Sequence, residues 1–529
     1  MHLGKTLKPT SIYKFAISSV QLIKCYSTSS PTIFAVSSGQ GKCGVAVIRI
    51  SGPQSSSVLS EVAGLKKLPE PRKALLRRLR HPELNEILDQ ALVLWFPGPH
   101  SFTGEDSCEL QVHGGTAVVS AVLGALATLP GLRPALPGEF TKRAFYSNKL
   151  DLTGVEGLAD LIQAETEMQR KQALHQMEGA LSQRYDQWRD RLKRCIAHVE
   201  AYIDFSEDQN IEEDILEETN KELKSLLQDM QRHLQDGRRG ERTRDGVRTV
   251  IVGAPNVGKS SLLNALCDRP AAIVSSQPGT TRDVISTTLD IAGFPMVLSD
   301  TAGLRGNTSD LIEKEGILRA HQTVSSADLM LLVIDATHYQ DMDPSQLYCA
   351  DFWRFLQEYI KELGLEEAVA QCGNIKRIFG APGEKSDLGN VCLVIFNKLD
   401  LIEDRTLINN VCEQYLDCVT AISCKQSEHL ETVAGEIEIL FRDSIGIPFL
   451  LCGNPTRENA SLSQARHRYH LTASVAALSR YLEMSGNERE IDLAAYQLKQ
   501  ALNALGHITG HVSTEQILDV IFRDFCIGK

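Results

Sequence analysis

The sequence predicts a multidomain protein with an α+β N-terminal domain, an all-α domain, and an α/β domain that is inserted into the all-α domain. Its 529 residues are too many for one hydrophobic core. Strand-like apolar runs prevail before residue 150, whereas residues 151–237 and the segment after Asn454 show helical periodicity. At Gly253 a β-branched run leads into the pattern G-x-x-x-x-G-K-[ST], and a strand, glycine-rich turn and helix in that order are typical of a phosphate-binding α/β domain.

Composition narrows the class of protein. The apolar and charged fractions, 43% and 23%, are typical of globular proteins, and no apolar run reaches the roughly 18 residues of a membrane span, so we expect none. The net charge of −12 excludes a general nucleic-acid-binding surface, so any RNA contact needs a local basic patch. The 13 cysteines form no C-x-x-C pair, which argues against a zinc site or a secreted disulfide framework and fits a reducing compartment.

The first 60 residues contain no acidic residue, and lysines alternate with apolar residues before a Ser/Thr tract at 27–30. Such composition is typical of a transit peptide, so residues 1–30 are predicted to be one. The lack of any arginine before Arg49 departs from the usual pattern, and a disordered cytosolic tail is the alternative. A secretory signal is disfavoured because Lys14 and Lys24 interrupt the apolar run.

The α+β domain is predicted over residues 31–150. Bounded by Gly, Pro and Ser, the strand-like runs are Ile33–Val36, Val45–Ile50 and Ala91–Phe96, and a helix is predicted over Thr116–Leu129. Polar residues in the loops are by themselves more typical of solvated surface than of a site; they are Glu105, Asp106, Glu109, His113, Glu139, Arg143 and Lys149.

The helical domain is predicted in two segments, residues 151–245 and 451–529, where apolar residues recur at three- and four-residue spacing. The basic run Arg238–Arg244 is interpreted as a charged linker. The α/β domain, residues 246–450, would then be inserted into a helical domain whose two halves pack together. A separate C-terminal bundle is the alternative.

The phosphate-binding loop runs from Gly253 to Ser260. Its backbone N–H groups can converge on phosphate oxygens, and the following helix adds its N-terminal dipole. Glycine is needed where the backbone approaches a phosphate without a Cβ. Lys259 would neutralise charge on the β- and γ-phosphates, and the Ser260 hydroxyl would hold Mg²⁺. A chance glycine-rich turn is disfavoured by the strand before the loop and the helix formers after it.

Further motifs follow, each after a strand. In Asp300-Thr301-Ala302-Gly303 the acid suits a Mg²⁺ shell and the glycine allows a backbone N–H to reach the γ-phosphate. The hydroxyls of Gly279–Asp283 could close over the metal. In Asn397-Lys398-Leu399-Asp400 the carboxylate can accept from guanine N1–H and the N2 amine together, a pair that adenine lacks. Ser423-Cys424-Lys425 suits the guanine O6 side.

In this order the motifs resemble those of the GTPase family, which implies a Ras-like domain that selects GTP over ATP. The resemblance implies these nucleotide-binding residues: Gly253, Asn256, Val257, Gly258, Lys259, Ser260, Ser261, Thr280, Thr281, Asp300, Thr301, Ala302, Gly303, Asn397, Lys398, Asp400, Ser423, Cys424 and Lys425. One residue departs from the Ras-like pattern, because Leu304 stands where a glutamine would orient the attacking water. The chemistry therefore needs another source of positive charge and another water-positioning group.

The loop Gly279–Asp283 together with Asp300–Arg305 is similar to the MnmE (TrmE) family of tRNA-modification GTPases and their mitochondrial homologues. The C-terminal Cys526-Ile527-Gly528-Lys529 matches that family's signature. The family's N-terminal motifs are also present, as Ser101–Asp106, His113–Gly115, Pro137–Thr141 and Asn148–Leu152. The resemblance spans Ile33 to Lys529 and involves all three domains.

The resemblance implies an N-terminal folate-binding and dimerisation domain, a helical domain in two segments, and an inserted G domain. It implies a homodimer in which GTP hydrolysis is coupled to association of the G domains, and an MnmG-type FAD-dependent protein as partner. Together they would place a substituted methyl group on C5 of the wobble uridine of certain tRNAs. The one-carbon unit would come from a tetrahydrofolate, in its 5,10-methylene or 5-formyl form, and the amine in mitochondria is expected to be taurine.

Cation sites are carried over from the family position by position. K⁺ is implied at Asn256, Ser275, Gln277 and Thr280, where it would supply the positive charge that an arginine finger supplies elsewhere. Ser275 replaces a Thr and Gln277 an Ile of the bacterial pattern, but two of the K⁺ contacts are expected from backbone carbonyls, so these changes matter little.

The resemblance places Mg²⁺ on Ser260 and Thr281. Glu313 aligns with the carboxylate that orients the attacking water through a bridging water, and Glu315 is its rival because this loop is one residue longer than the bacterial form. The implied catalytic residues are Glu313, Lys259, Thr281 and Arg282.

Arg49, Glu109, Lys149 and Lys529 match the family's folate contacts. Lysine and arginine can meet acceptors of the pterin or glutamate tail, and a glutamate can accept from the pterin N–H and NH₂ pair. Cys526 has two interpretations: a thiolate nucleophile toward uridine C6, or a packing residue at the folate pocket, since no histidine adjoins it in sequence. Prenylation of Cys526 is rejected because lysine is not a usual fourth residue.

Residues 337–390 form an expansion without an assigned role, with an amphipathic helix from Phe352 to Leu365 and a glycine- and proline-containing loop. A bland loop insertion is favoured. The basic stretches Arg72–Arg80 and Arg238–Arg248 are candidate tRNA surfaces, although solvated faces are equally expected.

Two other functions stay open. A ribosome-assembly GTPase that acts as an RNA-binding switch would share the G domain, but the sequence lacks a KH-like basic glycine motif. An independent folate-dependent methyltransferase, regulated by GTP, would require activity without the flavoprotein.

Overall fold

The structure, a computed structural model, divides the chain into two units: Met1–Val155 with Ser513–Lys529, and Glu156–Val512. The residues it describes are 31–39, 41–205, 213–235, 238–267, 286–291, 293–299, 324, 326–340, 349–370, 391–415, 419–425, 452, 462–485, 491–512, 518, 521–523, 525 and 528.

The first unit contains a sheet whose described strands run in the order β3-β4-β5-β2-β1-β6, with β1 and β6 parallel and the other pairs antiparallel. The strands are β1 (Thr32–Val36), β2 (Cys43–Ser51), β3 (Leu75–Arg80), β4 (Ile87–Phe96), β5 (Ser107–Gly114) and β6 (Leu132–Pro134). The helices are α1 (Ser55–Glu61), α2 (Thr116–Thr128), α3 (Glu139–Tyr146) and the start of α4 (Leu152–Gln163). The strands and helix predicted for residues 31–150 are confirmed to within a few residues.

Alternation along the strands decides which face of this sheet is covered. In β4, Val93 and Trp95 are buried while Leu92 is exposed, because successive side chains point to opposite faces. The buried face packs with α1 and α2 in one core. On the other face the β2–β5 register sets Arg49 directly opposite Glu109.

The second unit is helical at both ends of its chain segment. Its described helices outside the sheet region are α4, α5 (Glu167–Met177), α6 (Ala180–Phe205), α7 (Glu213–Leu234), α8 (Arg239–Asp245), α14 (Ala465–Met484) and α15 (Ile491–Thr509). Leu192 and Leu223, from the earlier helices, share one core with Leu478 and Leu498 from the later ones, and all four are fully buried. Tyr481 also donates to the Asn220 side chain at 2.9 Å.

Between these helical segments lies a second sheet, with its described strands in the order β12-β11-β10-β7-β9-β8 and only β8 and β9 antiparallel. The strands are β7 (Val247–Val252), β8 (Ser286–Ile291), β9 (Phe294–Ser299), β10 (Leu329–Asp335), β11 (Val391–Asn397) and β12 (Val419–Ala421). The accompanying helices are α9 (Lys259–Cys267), α10 (Ala336–Gln340), α11 (Cys349–Glu362), α12 (Glu366–Ala370) and α13 (Thr406–Gln414).

Both faces of the second sheet are covered, and β10 and β11 are buried along their length. The continuous apolar runs of these strands, rather than an alternating pattern, follow from that burial. β7 lies between β9 and β10, so the chain crosses to one side of β7 and later to the other. Ligands bind at such a switch point, beyond the carboxyl ends of the strands, and the loop after β7 begins there.

The interpretation of Arg238–Arg244 as a linker is wrong, because residues Arg239–Asp245 form helix α8. Two arginines of this helix pair with carboxylates that are distant in sequence. Arg242 pairs with Asp328 at 2.9 Å, and Arg244 pairs with Asp160 at 2.7 Å. A basic segment can therefore be helical and half-buried when acids that are distant in sequence meet it.

Among the described helices, none combines the length and apolar character needed to cross a bilayer.

Candidate functional site

The loop between β7 and α9 is held open by glycine. At Gly253 a Cβ would overlap the Val333 carbonyl oxygen, and at Gly258, with φ of +99°, it would overlap the Asn397 side-chain amide. Asn256 has φ of 63°, a left-handed conformation that asparagine tolerates. Side chains are thus excluded at the two glycines. At these positions only backbone groups of the loop can contact a ligand at the N-terminus of α9.

Lys259, the first residue of α9, folds back over this loop. Its Nζ donates to the carbonyl oxygens of Gly253, at 2.8 Å, and Ala254, at 2.7 Å. Partial burial lowers the pKa of Lys259 from its ordinary value. The ammonium group is therefore positioned at the mouth of the loop, where it can exchange these carbonyl oxygens for phosphate oxygens.

Asn397, at the end of β11, ties two loops together. Its Nδ2 donates to the Val257 carbonyl oxygen at 2.8 Å, and its Oδ1 accepts from the Cys424 backbone N–H at 3.3 Å. Only 2% of Asn397 is exposed. One buried amide thus fixes the distance between the phosphate-binding loop and the loop after β12.

Asp400 is held from the same side. Ser423 donates its hydroxyl to Asp400 Oδ1 at 2.5 Å, and the Leu399 N–H donates to the Ile422 carbonyl oxygen at 3.1 Å. The carboxylate is thereby oriented by a hydroxyl, as an acceptor for a pair of N–H donors requires.

Lys398, the second residue of the Asn397–Asp400 motif, has φ of 67°. Its Nζ pairs with Asp335 Oδ2 at 2.6 Å. Burial alone would raise the pKa of Asp335, but hydrogen bonds from Lys398 and Thr337 hold it below its ordinary value. Asp335 and Asn397 are direct neighbours in the β10–β11 register, so the ends of both strands contribute to this site.

The predicted residues at this site divide into two groups. The structure brings together Gly253, Asn256, Val257, Gly258, Lys259, Ser260, Ser261, Asn397, Lys398, Asp400, Ser423, Cys424 and Lys425 around the ends of β7, β11 and β12. Outside the described residues lie Ser275, Gln277, Thr280, Thr281, Arg282, Asp300, Thr301, Ala302, Gly303, Leu304, Glu313 and Glu315.

The first unit contains a separate cluster of charged side chains. Arg49 Nε pairs with Glu109 at 3.0 Å, and the Arg49 guanidinium lies 5.3 Å from the Phe102 ring centroid. Arg143 pairs with both Glu105 and Glu139 at 2.9 Å. These carboxylates are largely buried, so their interpretation as solvated surface is wrong for Glu105, Glu109 and Glu139.

Sequence reasoning missed other members of this cluster. Arg133 pairs with Glu139 at 2.6 Å, and the Ser51 hydroxyl donates to Glu105 at 2.7 Å. Burial alone would raise the pKa of Glu139, but hydrogen bonds from Arg133 and other donors lower it. No sequence motif marks Arg133, which stands in a three-residue strand. Lys149 is exposed, and Lys529 and Cys526 lie outside the described residues.

The two candidate basic surfaces differ. In the first stretch Arg72, Lys73, Arg77 and Arg78 are exposed and Arg80 is half-buried, and β3, which carries the last three arginines, is an edge strand among the described strands. In the other stretch Arg238 pairs with Glu241 at 2.6 Å, and Arg242 and Arg244 pair as described above. The tRNA surface stays a prediction for both stretches, and the first offers more exposed cations than the second, where Arg238 and Arg248 are exposed.

Comparisons with known proteins cover nearly the whole chain. Residues 152–526 match the family model described as MnmE helical domain, and residues 32–149 match the one described as GTP-binding protein TrmE N-terminus.

Full-length relatives agree with these family models. A Danio rerio protein named 5-taurinomethyluridine-tRNA synthase subunit GTPB3, mitochondrial, is 48% identical, with 100% of each chain covered. The Homo sapiens protein of that name is 45% identical, with 95% of this chain and 94% of its own covered. The tRNA modification GTPase MnmE of Paramagnetospirillum magneticum is 43% identical, with 94% and 100% covered.

Proposed function

The chain belongs to the MnmE (TrmE) family of tRNA-modification GTPases, and from this membership we propose that it hydrolyses GTP during modification of wobble-uridine C5 in mitochondrial tRNA. The group installed is of the taurinomethyl type, the modification in the name of the Danio rerio relative. The observation that carries the proposal is the Asn397 amide, which joins the phosphate-binding loop to the loop beside Asp400.

Phosphate binding falls to the loop after β7. The backbone N–H groups at the start of α9 meet the phosphates, and Lys259 exchanges its two carbonyl acceptors for phosphate oxygens. Mg²⁺ fits here, because the Ser260 hydroxyl stands in the first turn of α9 and hydroxyl and phosphate oxygens suit that metal. Ser260 and Thr281 would hold it, and when bound it neutralises phosphate charge.

Base selection falls to Asp400, whose carboxylate accepts from guanine N1–H and the N2 amine. Asp400→Asn places an amide donor where the guanine donors lie. It should therefore weaken guanine-nucleotide binding and favour xanthine nucleotides, measured by competition against labelled GDP. Glu403→Gln, a carboxylate-to-amide change three residues along the chain, is the matched control and should leave the preference unchanged. Retained guanine preference in Asp400→Asn would contradict this role.

K⁺, held by Asn256, Ser275, Gln277 and Thr280, supplies the positive charge that an arginine finger supplies elsewhere. Glu313 orients the attacking water, which Leu304 cannot do, and Arg282 is a further proposed catalytic residue. Support comes from Asn256, which is exposed in the phosphate-binding loop and offers an amide oxygen there. Hydrolysis should rise with K⁺ and not with Na⁺, and should rise with protein concentration. Asn256→Ala should abolish the difference between KCl and NaCl while GTP still binds. Equal rates of the unaltered chain in both salts would contradict the K⁺ mechanism.

The first unit is proposed to bind a tetrahydrofolate, in its 5,10-methylene or 5-formyl form, through Arg49, Glu109, Lys149 and Lys529, with Cys526 nearby. Arg49 and Glu109 support this because they pair with each other beside the Phe102 ring, so both are preoriented for a flat, polar ring system. Glu109→Gln should weaken 5-formyl-tetrahydrofolate binding in calorimetry, and Glu61→Gln, an exposed control in the same unit, should not. Equal affinities would exclude Glu109 from the site.

The whole arrangement follows the family. We propose domain bounds of 31–150, 151–245, 246–450 and 451–529, with the G domain inserted, and the core shared by α6, α7, α14 and α15 supports this insertion. A homodimer and an MnmG-type FAD-dependent partner complete the proposed assembly, which works in the mitochondrial matrix once residues 1–30 are removed.

A gene deletion tests the function as a whole. It should remove the taurinomethyl-type group from mitochondrial tRNA, as measured by nucleoside mass spectrometry. The unaltered chain should restore the group, and Lys259→Ala should not. Normal tRNA together with defective ribosomes would instead establish the ribosome-assembly GTPase.

A further inference from the structure

Helix α11 lies in residues 337–390, the expansion to which the sequence assigns no role. Its apolar side chains are part of the core beneath the phosphate-binding loop: Phe352 and Leu356 are fully buried and cluster with Val250 and Val252 of β7. The helix is therefore built into the α/β domain. The amphipathic helix predicted from Phe352 to Leu365 is confirmed to within a few residues, and this part of the expansion is not a loop insertion.

From this helix Tyr359 reaches the phosphate-binding loop. Its hydroxyl accepts from the Ala254 backbone N–H at 2.8 Å and donates to the Val333 carbonyl oxygen at 2.9 Å. Only 7% of Tyr359 is exposed, and its ring stacks on Phe355 with 6.1 Å between centroids. Burial raises the pKa of Tyr359 to about 12, so the hydroxyl keeps its proton and can serve as donor and acceptor at once.

The geometry points to Tyr359 as a positioning residue that presets the phosphate-binding loop for nucleotide, through the Ala254 N–H. This inference rests on the nucleotide site of the proposed function and adds a residue to it. Ala254 is held on two sides, since Tyr359 holds its N–H and Lys259 binds its carbonyl oxygen. When Lys259 turns to phosphate, the Tyr359 hydrogen bond remains.

Gly253 contributes to the same arrangement because it has no side chain. A Cβ there would lie 3.3 Å from the Tyr359 hydroxyl and would overlap the Val333 carbonyl oxygen. Glycine at this position therefore serves the approach of the tyrosine as well as the approach of phosphate. Asn256 follows three residues after Gly253, so the path of the backbone between them is set before ligand arrives, and less ordering of the loop remains to be done on binding.

The test compares two tyrosines in the full-length chain. Tyr359→Phe removes the hydroxyl beside the loop. Tyr415→Phe is the matched control, because Tyr415 packs on the same core and its hydroxyl accepts from Trp353 Nε1 at 2.9 Å, away from the loop. Labelled GDP and GTP affinities are measured at 10 °C, well below the unfolding midpoint of each variant, so that a loss of stability alone does not change them.

Tyr359→Phe should lower the affinity for both nucleotides by about tenfold, the scale of one hydrogen bond lost at a buried donor, mainly through faster release. Tyr415→Phe should bind within about twofold of the unaltered chain. An unchanged affinity in Tyr359→Phe, or an equal loss in Tyr415→Phe, would overturn the inference. If the unaltered chain binds no guanine nucleotide, the proposed function itself has failed, which is a distinct result.

Hydrogen exchange supplies a test that does not depend on a variant folding. In the nucleotide-free, unaltered chain the Ala254 amide should be protected, because its hydrogen goes to Tyr359 and not to water. Exchange at the rate of an open loop would overturn the inference.

Discussion

Two kinds of basic stretch in this chain look alike in sequence and differ in structure. Around α8 and at the start of α14 the cations meet carboxylates from distant parts of the chain: Glu241 accepts from Arg468 at 2.6 Å, and Glu156 pairs with Arg466 at 2.8 Å. On the edge strand β3, Arg77 and Arg78 are exposed, and Arg77 donates to the neighbouring Leu76 carbonyl oxygen. Whether a basic run serves the fold or a partner is thus decided by where the acids lie.

The largest effect is expected from removing the carboxylate of Glu156, a residue that is only 6% exposed. Glu156 also contacts His467 Nε2 at 2.6 Å, and His467 is fully buried. Glu156→Gln leaves the Arg466 charge without its carboxylate and should lower the free energy of unfolding by about 4 kcal/mol, measured by urea denaturation. A loss as small as that of an exposed pair would contradict a structural role.

The pH dependence of the stability difference between the unaltered chain and Glu156→Gln tests the role of the carboxylate charge. Burial alone would raise the pKa of Glu156, but His467 and Arg466 lower it to about 2 from an ordinary 4.5. Because the folded pKa is depressed, the stabilisation is complete above pH 4.5 and is lost as the pH falls toward 2. The stability gap between the unaltered chain and Glu156→Gln should therefore narrow over that range. A constant gap would show that the carboxylate charge is irrelevant.

The second-largest effect is expected at α8. Arg242 and Asp328 are 9% and 15% exposed, so Arg242→Met leaves a mostly buried carboxylate unpaired. The free energy of unfolding should fall by about 3 kcal/mol. Combining Arg242→Met with Asp328→Asn removes both charges and should recover part of the loss, and full additivity of the two changes would argue against a direct pair.

Charge reversal on the edge strand β3 should change tRNA binding and not stability, the opposite of what is expected at α8. Arg77→Glu combined with Arg78→Glu should leave the unfolding midpoint nearly unchanged but weaken tRNA binding by about tenfold or more at low salt, with a shallower salt dependence. The matched control is Arg170→Glu with Lys171→Glu, two partly exposed cations of the other unit. Equal loss in the control would show that only total charge matters.

The smallest effect is expected at Lys73, whose pair with Glu70 leaves the two side chains 64% and 70% exposed. Lys73→Ala should change the free energy of unfolding by less than about 0.5 kcal/mol. A larger loss, in the same urea experiment, would mean that exposure is a poor guide to the role of these cations.

Short-range patterns explain what could be predicted from sequence. The phosphate-binding loop and the Asn397–Asp400 motif are each defined within a few residues, and the strands that precede them are recognisable apolar runs. The features that could not be predicted depend on contacts between residues that are far apart in the sequence. Nothing near Arg242 indicates Asp328, and Tyr359 looks like any aromatic residue on the buried side of an amphipathic helix. Its hydrogen bond to Ala254 exists only after two chain segments, 105 residues apart, have folded together.

Because Gly528 contacts strand β1, the first unit can be completed only at the end of synthesis. Ser37 donates to the Gly528 carbonyl oxygen at 3.0 Å across 491 residues, and a Cβ at Gly528 would overlap the Val36 carbonyl oxygen. At a ribosomal rate of roughly 5 to 20 residues per second, about 25 to 100 s pass between the synthesis of β1 and the synthesis of Gly528. The first unit is thus among the first parts to be translated and the last to be finished, and a chain terminated before Ser513 would carry both sheets yet leave that unit incomplete.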